Sequence, residues 1–189
     1  MSRKSRAWES RHEEQADIST ANNKGLRDAA RIFGHSSVND IVADMGGKNA
    51  NRELAKLMLE YKDKEITEKS IKSEMRNIQR YQKRERGEGG QVTKPSKKVQ
   101  AILDKIARDQ KLKGDKKVKA KIKGPASVEG YKRDERMIDF WLDAENAREL
   151  FDTLAEDDYD AAWGMMAEAY GVGELHAYDG ASIEFEEGE

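Results

Sequence analysis

Residues 67–84 read TEKSIKSEMRNIQRYQKR, and the reading of this stretch decides how the basic part of the chain folds. Ile71, Met75, Ile78 and Gln82 recur at three- and four-residue steps, which predicts an amphipathic helix with Tyr81 beside its apolar stripe. Thr67 and Ser70 are both suitable N-cap hydroxyls, and Glu68 falls where the positive helix end favours an acid. At 3.6 residues per turn, Lys69, Ser73, Arg76, Asn77, Arg80 and Arg84 fall opposite Ile71. That face carries one hydroxyl, one amide and four cations. Arg bonds bidentately to guanine edges and Asn to adenine edges, so Ser73, Arg76, Asn77 and Arg80 are candidate base-reading residues. A solvated surface helix would show the same polarity.

Helical spacing continues on both sides. Leu26, Ala29, Ala30 and Phe33 form a stripe that ends at Gly34. Ser36 or Ser37 can cap a short helix bearing Val38, Ile41, Val42 and Met45, which Gly46-Gly47 stops. Leu54, Leu57, Met58 and Tyr61 mark a helix over about 51–62, placed to brace 67–84 as a helix-turn-helix pair. An earlier candidate pair places Ala30 and Gly34 at a close helix crossing, with His35-Ser36 as its turn. Downstream, Gly87-Glu88-Gly89-Gly90 reads as a loop. Pro95-Ser96 starts a helix to about Leu112 with Val99, Ile102, Leu103 and Ile106 inward. Lys94, Lys97 and Lys98 cluster at its start and, with Lys69 and Arg84, are candidate phosphate-binding residues.

Beyond residue 112 the periodicity changes. Val118 to Ile122 alternates with lysines, as in a half-exposed strand. Met137 to Leu142 reads as a strand or the start of a buried helix. Residues 144–154 and 157–170 read as helices. Leu175 to Tyr178 and Ser182 to Phe185 are short alternating runs around Asp179-Gly180, a hairpin signal. The expected fold class is α+β: an all-helical, helix-turn-helix-like N-terminal domain, then a small acidic α+β domain. The expected division is a flexible basic arm over 1–24, a helical DNA-binding domain over 25–112, a basic strand or linker over 113–135, and an acidic domain over 136–189.

Charge follows this division. Residues 1–124 hold 31 Lys and Arg against 18 Asp and Glu, a net +13; residues 125–189 hold 4 against 19, a net −15. Clustered cations displace the counterions condensed on nucleic acid, so the basic part suits a phosphate polymer. The acidic part suits a protein partner or a homodimer contact. Charged residues make up 38% of the chain, which leaves room for only modest cores. The chain has no cysteine, which excludes disulfides and thiolate-held metals. No apolar run reaches the length of a bilayer span, and no apolar region follows the basic Met1 to Arg6 segment. A cytoplasmic, nucleoid-associated protein is the expectation.

Catalytic signals are few. His12, His35 and His176 share no metal-ligand spacing. The clusters Asp157-Asp158-Asp160 and Glu184-Glu186-Glu187 could bind a divalent cation as nuclease sites do, or be solvated faces. No phosphate-binding loop motif is present. Tyr131 and Tyr159 cannot be distinguished as nucleophiles. No catalytic residue, metal or cofactor is assigned.

Several short motifs, taken in order, resemble the telomere-binding terminal proteins of linear actinobacterial replicons. Arg76-Asn77-Ile78-Gln79-Arg80-Tyr81 is similar to the family's Arg-x-Val-x-Arg-Tyr, which ends a helix-turn-helix segment. Lys94-Pro95-Ser96, Leu150-Phe151, Ala167-Glu168 and Ile183-Glu184-Phe185-Glu186 resemble its later motifs. The family's Leu-Gly-Val-Ser turn is absent, and Met137-Ile138-Asp139-Phe140 lacks the hydroxyl to which family members attach DNA. The resemblance implies binding to replicon DNA, in replication, end maintenance or regulation. Two other readings stand beside it. One is a DNA-processing enzyme, either a metal-dependent nuclease or a covalently attached terminal protein. The other is an RNA-binding or self-assembling structural protein. Double-stranded DNA is the expected partner, with RNA or single-stranded DNA as the alternatives.

Overall fold

The apolar stripes become helices, and the alternating segments become one antiparallel sheet. The computed structural model describes residues 21–88, 94–114 and 116–188. In chain order these hold α1 (Asn23–Gly34), α2 (Val38–Met45), α3 (Ala50–Glu60), α4 (Glu68–Glu85), α5 (Lys97–Lys111), β1 (Val118–Val128), β2 (Tyr131–Leu142), α6 (Ala144–Ala155), α7 (Tyr159–Tyr170), β3 (Leu175–Ala177) and β4 (Ser182–Glu187). The fold is α+β, with a helical N-terminal region, as the sequence predicts. No helix among the described residues is long and apolar enough to cross a membrane.

The chain divides into two compact units. One is residues 34–113; the other joins the chain before residue 34 to the chain from 114 onward. This differs from the division drawn at 25–112 and 136–189. Helix α1 belongs with the sheet, because its stripe of Leu26, Ala29, Ala30 and Phe33 is buried there. Phe33 meets Phe151 at 5.2 Å between ring centroids, and the Trp163 indole donates to Asn23 Oδ1 at 2.9 Å. Of the two readings of 113–135, strand or linker, the strand holds: the segment supplies β1, the central strand. Of the expected arm over 1–24, residues 1–20 lie outside the described residues. Ala21 bridges to Tyr178, and the Asn22 amide donates to Ala177 O at 2.7 Å. Gly89 and Gly90 of the expected loop also lie outside the described residues.

In the helical unit, Ile41, Leu54, Met58, Ile71, Ile78, Leu103 and Ile106 form one core, each at most 3% exposed. Caps set the helix starts. Ser37 and Asp40 form a capping box on α2, Thr67 and Ser70 one on α4, and Ser96 caps α5. Gly34 permits close approach to α5: a Cβ there would lie 2.5 Å from Arg108 Cγ. The link between α3 and α4 is seven residues, 61–67, against the 3–4 of a helix-turn-helix, so the expected pair is a longer-linked hairpin. Links of that length lie instead between α1 and α2, at 35–37, and between α2 and α3, at 46–49, and α3 exposes Glu53 and Glu60 rather than cations.

In the sheet unit, β1 is central. β2 pairs along one edge, while β4 and β3 lie in line along the other, all antiparallel to β1. Alternation along β1 buries Val118, Ala120 and Ile122 beside Leu142, Phe140 and Ile138 of β2 and Phe185 and Ile183 of β4. Glu129 and Gly130, both with positive φ (52° and 73°), make the two-residue β1–β2 turn. Asp179-Gly180 does not make the expected hairpin. β3 and β4 pair with β1, not with each other, and the turn loops out between them. Gly124 and Pro125 explain the interruption. Pro125 has no amide to donate, and its carbonyl accepts from the Tyr178 amide at 2.9 Å. Gly124 has φ +121°, and a Cβ there would lie 3.0 Å from Ala181 Cα.

Candidate nucleic-acid interface

Helix α4 presents the densest cationic face in the helical unit. Ile71, Glu74, Ile78 and Gln82 are buried. Opposite them Lys69, Ser73, Arg76 and Arg80 are exposed along one face, as the sequence predicts. Asn77 and Arg84 are half-buried at its border. Lys72 and Lys83 share the exposed face and were not singled out by counting from Ile71. Counting from Arg76 finds them, at i−4 and i+7.

The three carboxylates of α4 are all taken by other elements. Glu68 is ion-paired with Arg52 of α3, and that hydrogen bond holds the Glu68 carboxyl below its ordinary value. Glu74, 8% exposed, receives Lys62 Nζ at 2.7 Å. Glu85 accepts the first amides of α2, from Val38 at 2.7 Å and from Asn39 at 3.0 Å, where the helix end favours negative charge. Among the described residues Lys69, Lys72, Arg76, Arg80 and Lys83 make no ion pair. None of the five is therefore neutralised by a direct ion pair, though Lys72 lies near enough to Glu68 to act on its carboxyl.

Lys94, Lys97 and Lys98 are exposed just before and in the first turn of α5, which carries no acid. The helical unit as a whole holds 19 Lys and Arg against 12 Asp and Glu, a net +7.

The lysines of β1 behave otherwise. Lys119, Lys121 and Lys123 line the outer face of the sheet between Asp139 of β2 and Glu184 and Glu186 of β4. Lys119 meets Asp139 at 2.5 Å and lies 5.7 Å from the Trp141 ring centroid; Lys121 meets Glu186 at 2.5 Å. The hydrogen bond from Lys119 lowers the Asp139 pKa, and the one to Glu186 raises that of Lys121.

Four of the candidate catalytic groups, Asp157, Asp158, Tyr159 and Glu186, have structural partners. Asp158 caps α7 by accepting from the Ala161 amide at 3.1 Å. Tyr159 donates to Asp157 at 2.6 Å, which raises the phenol pKa, the wrong direction for a nucleophile. Among the described residues no three His, Asp or Glu are grouped to hold a metal. His35 lies 3.7 Å from Asp104 in the helical unit and His176 3.4 Å from Glu174 in the sheet unit. His12 is outside the described residues. Comparison with protein families, characterised proteins and solved structures found no match for this chain.

Proposed function

We propose that this protein binds double-stranded DNA through α4, with Arg76, Asn77 and Arg80 toward base edges, Ser73 beside them, and Lys69, Arg84, Lys94, Lys97 and Lys98 on phosphates. The observation that carries the reading is that α4 holds six Lys and Arg while each of its three acids is engaged elsewhere. An ordinary surface helix pairs its cations with its own acids at i, i+4. This helix exports its acids to its neighbours and leaves Lys69, Lys72, Arg76, Arg80 and Lys83 without an ion pair among the described residues. The motif resemblance points to a replicon as the DNA, with a non-enzymatic role in replication, end maintenance or regulation and a nucleoid-associated location. The sheet unit, with its net acidic charge, is then a site for protein contact or dimerisation.

The test is fluorescence anisotropy of the full chain against duplex DNA, single-stranded DNA and RNA over a range of salt. Duplex binding that weakens log-linearly with salt supports the reading. An absence of duplex binding at low salt refutes it.

A further inference from the structure

The cations of α4 are not equivalent. Arg76 and Arg80 straddle the midline of the exposed face, with Lys69 between them; Lys72 and Lys83 lie together on one flank, and Ser73 and the half-buried Arg84 lie on the other. Lys72 and Lys83 are eleven residues apart, which is about three turns and about 16 Å along the axis. Both are exposed, and neither has an ion-pair partner among the described residues. Glu68, four residues before Lys72, feels the Lys72 charge at a distance, but its ion pair is with Arg52.

The face also lacks aromatic side chains. Tyr81, the one aromatic residue of α4, is half-buried toward the core. Single-stranded nucleic acid is gripped by aromatic platforms that stack its bases. The major groove of A-form RNA is too narrow for side chains to read, whereas that of B-form DNA admits a helix. A bare cationic helix with arginines on its midline and lysines on one flank fits the last of these.

Resting on the DNA-binding reading, we propose that α4 lies in the major groove of B-form DNA, with Lys72 and Lys83 together holding phosphates of one strand. Arg76 and Arg80 face the base edges between the groove walls. The two lysines are then phosphate-binding residues additional to those proposed above. They add affinity without sequence preference.

The experiment compares the full chain with Lys72→Ala/Lys83→Ala on a short mixed-sequence DNA duplex at several salt concentrations. The same sequence is also presented as single strand and as double-stranded RNA. Loss of two phosphate contacts should make the log-affinity against log-salt slope shallower by about 1.8. The ranking of DNA sequences should not change, whereas Arg76→Ala should change it. If the wild-type chain binds duplex DNA and the double variant keeps its slope, the lysine assignment fails and the DNA-binding reading stands. If single strand or double-stranded RNA binds as tightly as duplex DNA, the groove placement fails. If the wild-type chain binds no duplex, the DNA-binding reading fails and this inference falls with it.

Discussion

Helix α4 and strand β1 are both rich in cations on one exposed face, and their charges meet opposite fates. In β1 every second residue from Lys119 to Lys123 is a lysine, and the neighbouring strands bring Asp139 and Glu186 within 2.5 Å of two of them. In α4 the helix's own acids are drawn off by Arg52, Lys62 and the start of α2, while five cations stay open. Positive charge in a sequence thus indicates a phosphate surface only when the fold leaves it uncancelled. A sheet tends to cancel charge, because cross-strand neighbours, here the diagonal ones, lie within reach of a lysine. A helix packed on one side can keep its outer face intact.

The largest effect should come from attacking the device that engages the acids of α4. Lys62→Met leaves Glu74 charged and unpaired in a buried position. It should cost about 3–5 kcal/mol of stability in denaturant unfolding, with much of that recovered in Lys62→Met/Glu74→Leu. A small loss in the single variant would mean that water already reaches Glu74. On the β1 side, Ile183→Asp places a carboxylate on the buried face of β4, where Ile183 is 8% exposed. The expected loss is about 2–4 kcal/mol. An unchanged melting curve would show that β4 is not needed to hold β1.

Binding should separate the two regions more finely. Arg76→Ala and Arg80→Ala should each cost about 1–3 kcal/mol against the preferred duplex and alter sequence preference. Lys121→Ala should leave affinity unchanged, because Glu186 already occupies that charge. Equal losses from the helix and strand variants would erase the distinction. The smallest effect concerns pH. Asp139 has a depressed folded pKa, so its pair with Lys119 adds stability above the unfolded carboxyl value and loses it as pH falls through the folded value. The melting-temperature gap between wild type and Lys119→Ala should therefore close on acidification below the ordinary carboxylate range. A gap that stays constant would assign the effect of Lys119 to its packing on Trp141.

The face of α4 was legible in the sequence because exposure along a helix follows from spacing alone. Thr67 was legible as a cap, and Pro95-Ser96 as a helix start, for the same local reason. What could not be read was where each element finds its partner. The stripe of α1 was plain, but nothing local says that Phe33 packs against Phe151, more than a hundred residues away. The lysines of β1 looked available because Asp139 and Glu186 are distant in sequence. Asp179-Gly180 gave a true turn signal, but whether the strand after it doubles back or continues was decided by Gly124 and Pro125 on another strand. The β1–β2 turn at Glu129-Gly130 was missed, although its glycine was a usable signal.

The interleaving of the two units also orders events in time. The last residue that the helical unit requires is near 113, so this unit has all its partners once that point of the chain has been made. The sheet unit takes α1 from before residue 34 and waits for residues 182–187 to complete the second edge of β1. During synthesis, which proceeds from the N-terminus and lets domains fold as units, the helical unit can close first. Until β4 arrives, Lys119 and Lys121 lack one of the two strands whose carboxylates flank them. A nascent or prematurely ended chain would carry more open positive charge than the finished one, and would be the more prone to stick to the nucleic acid around it.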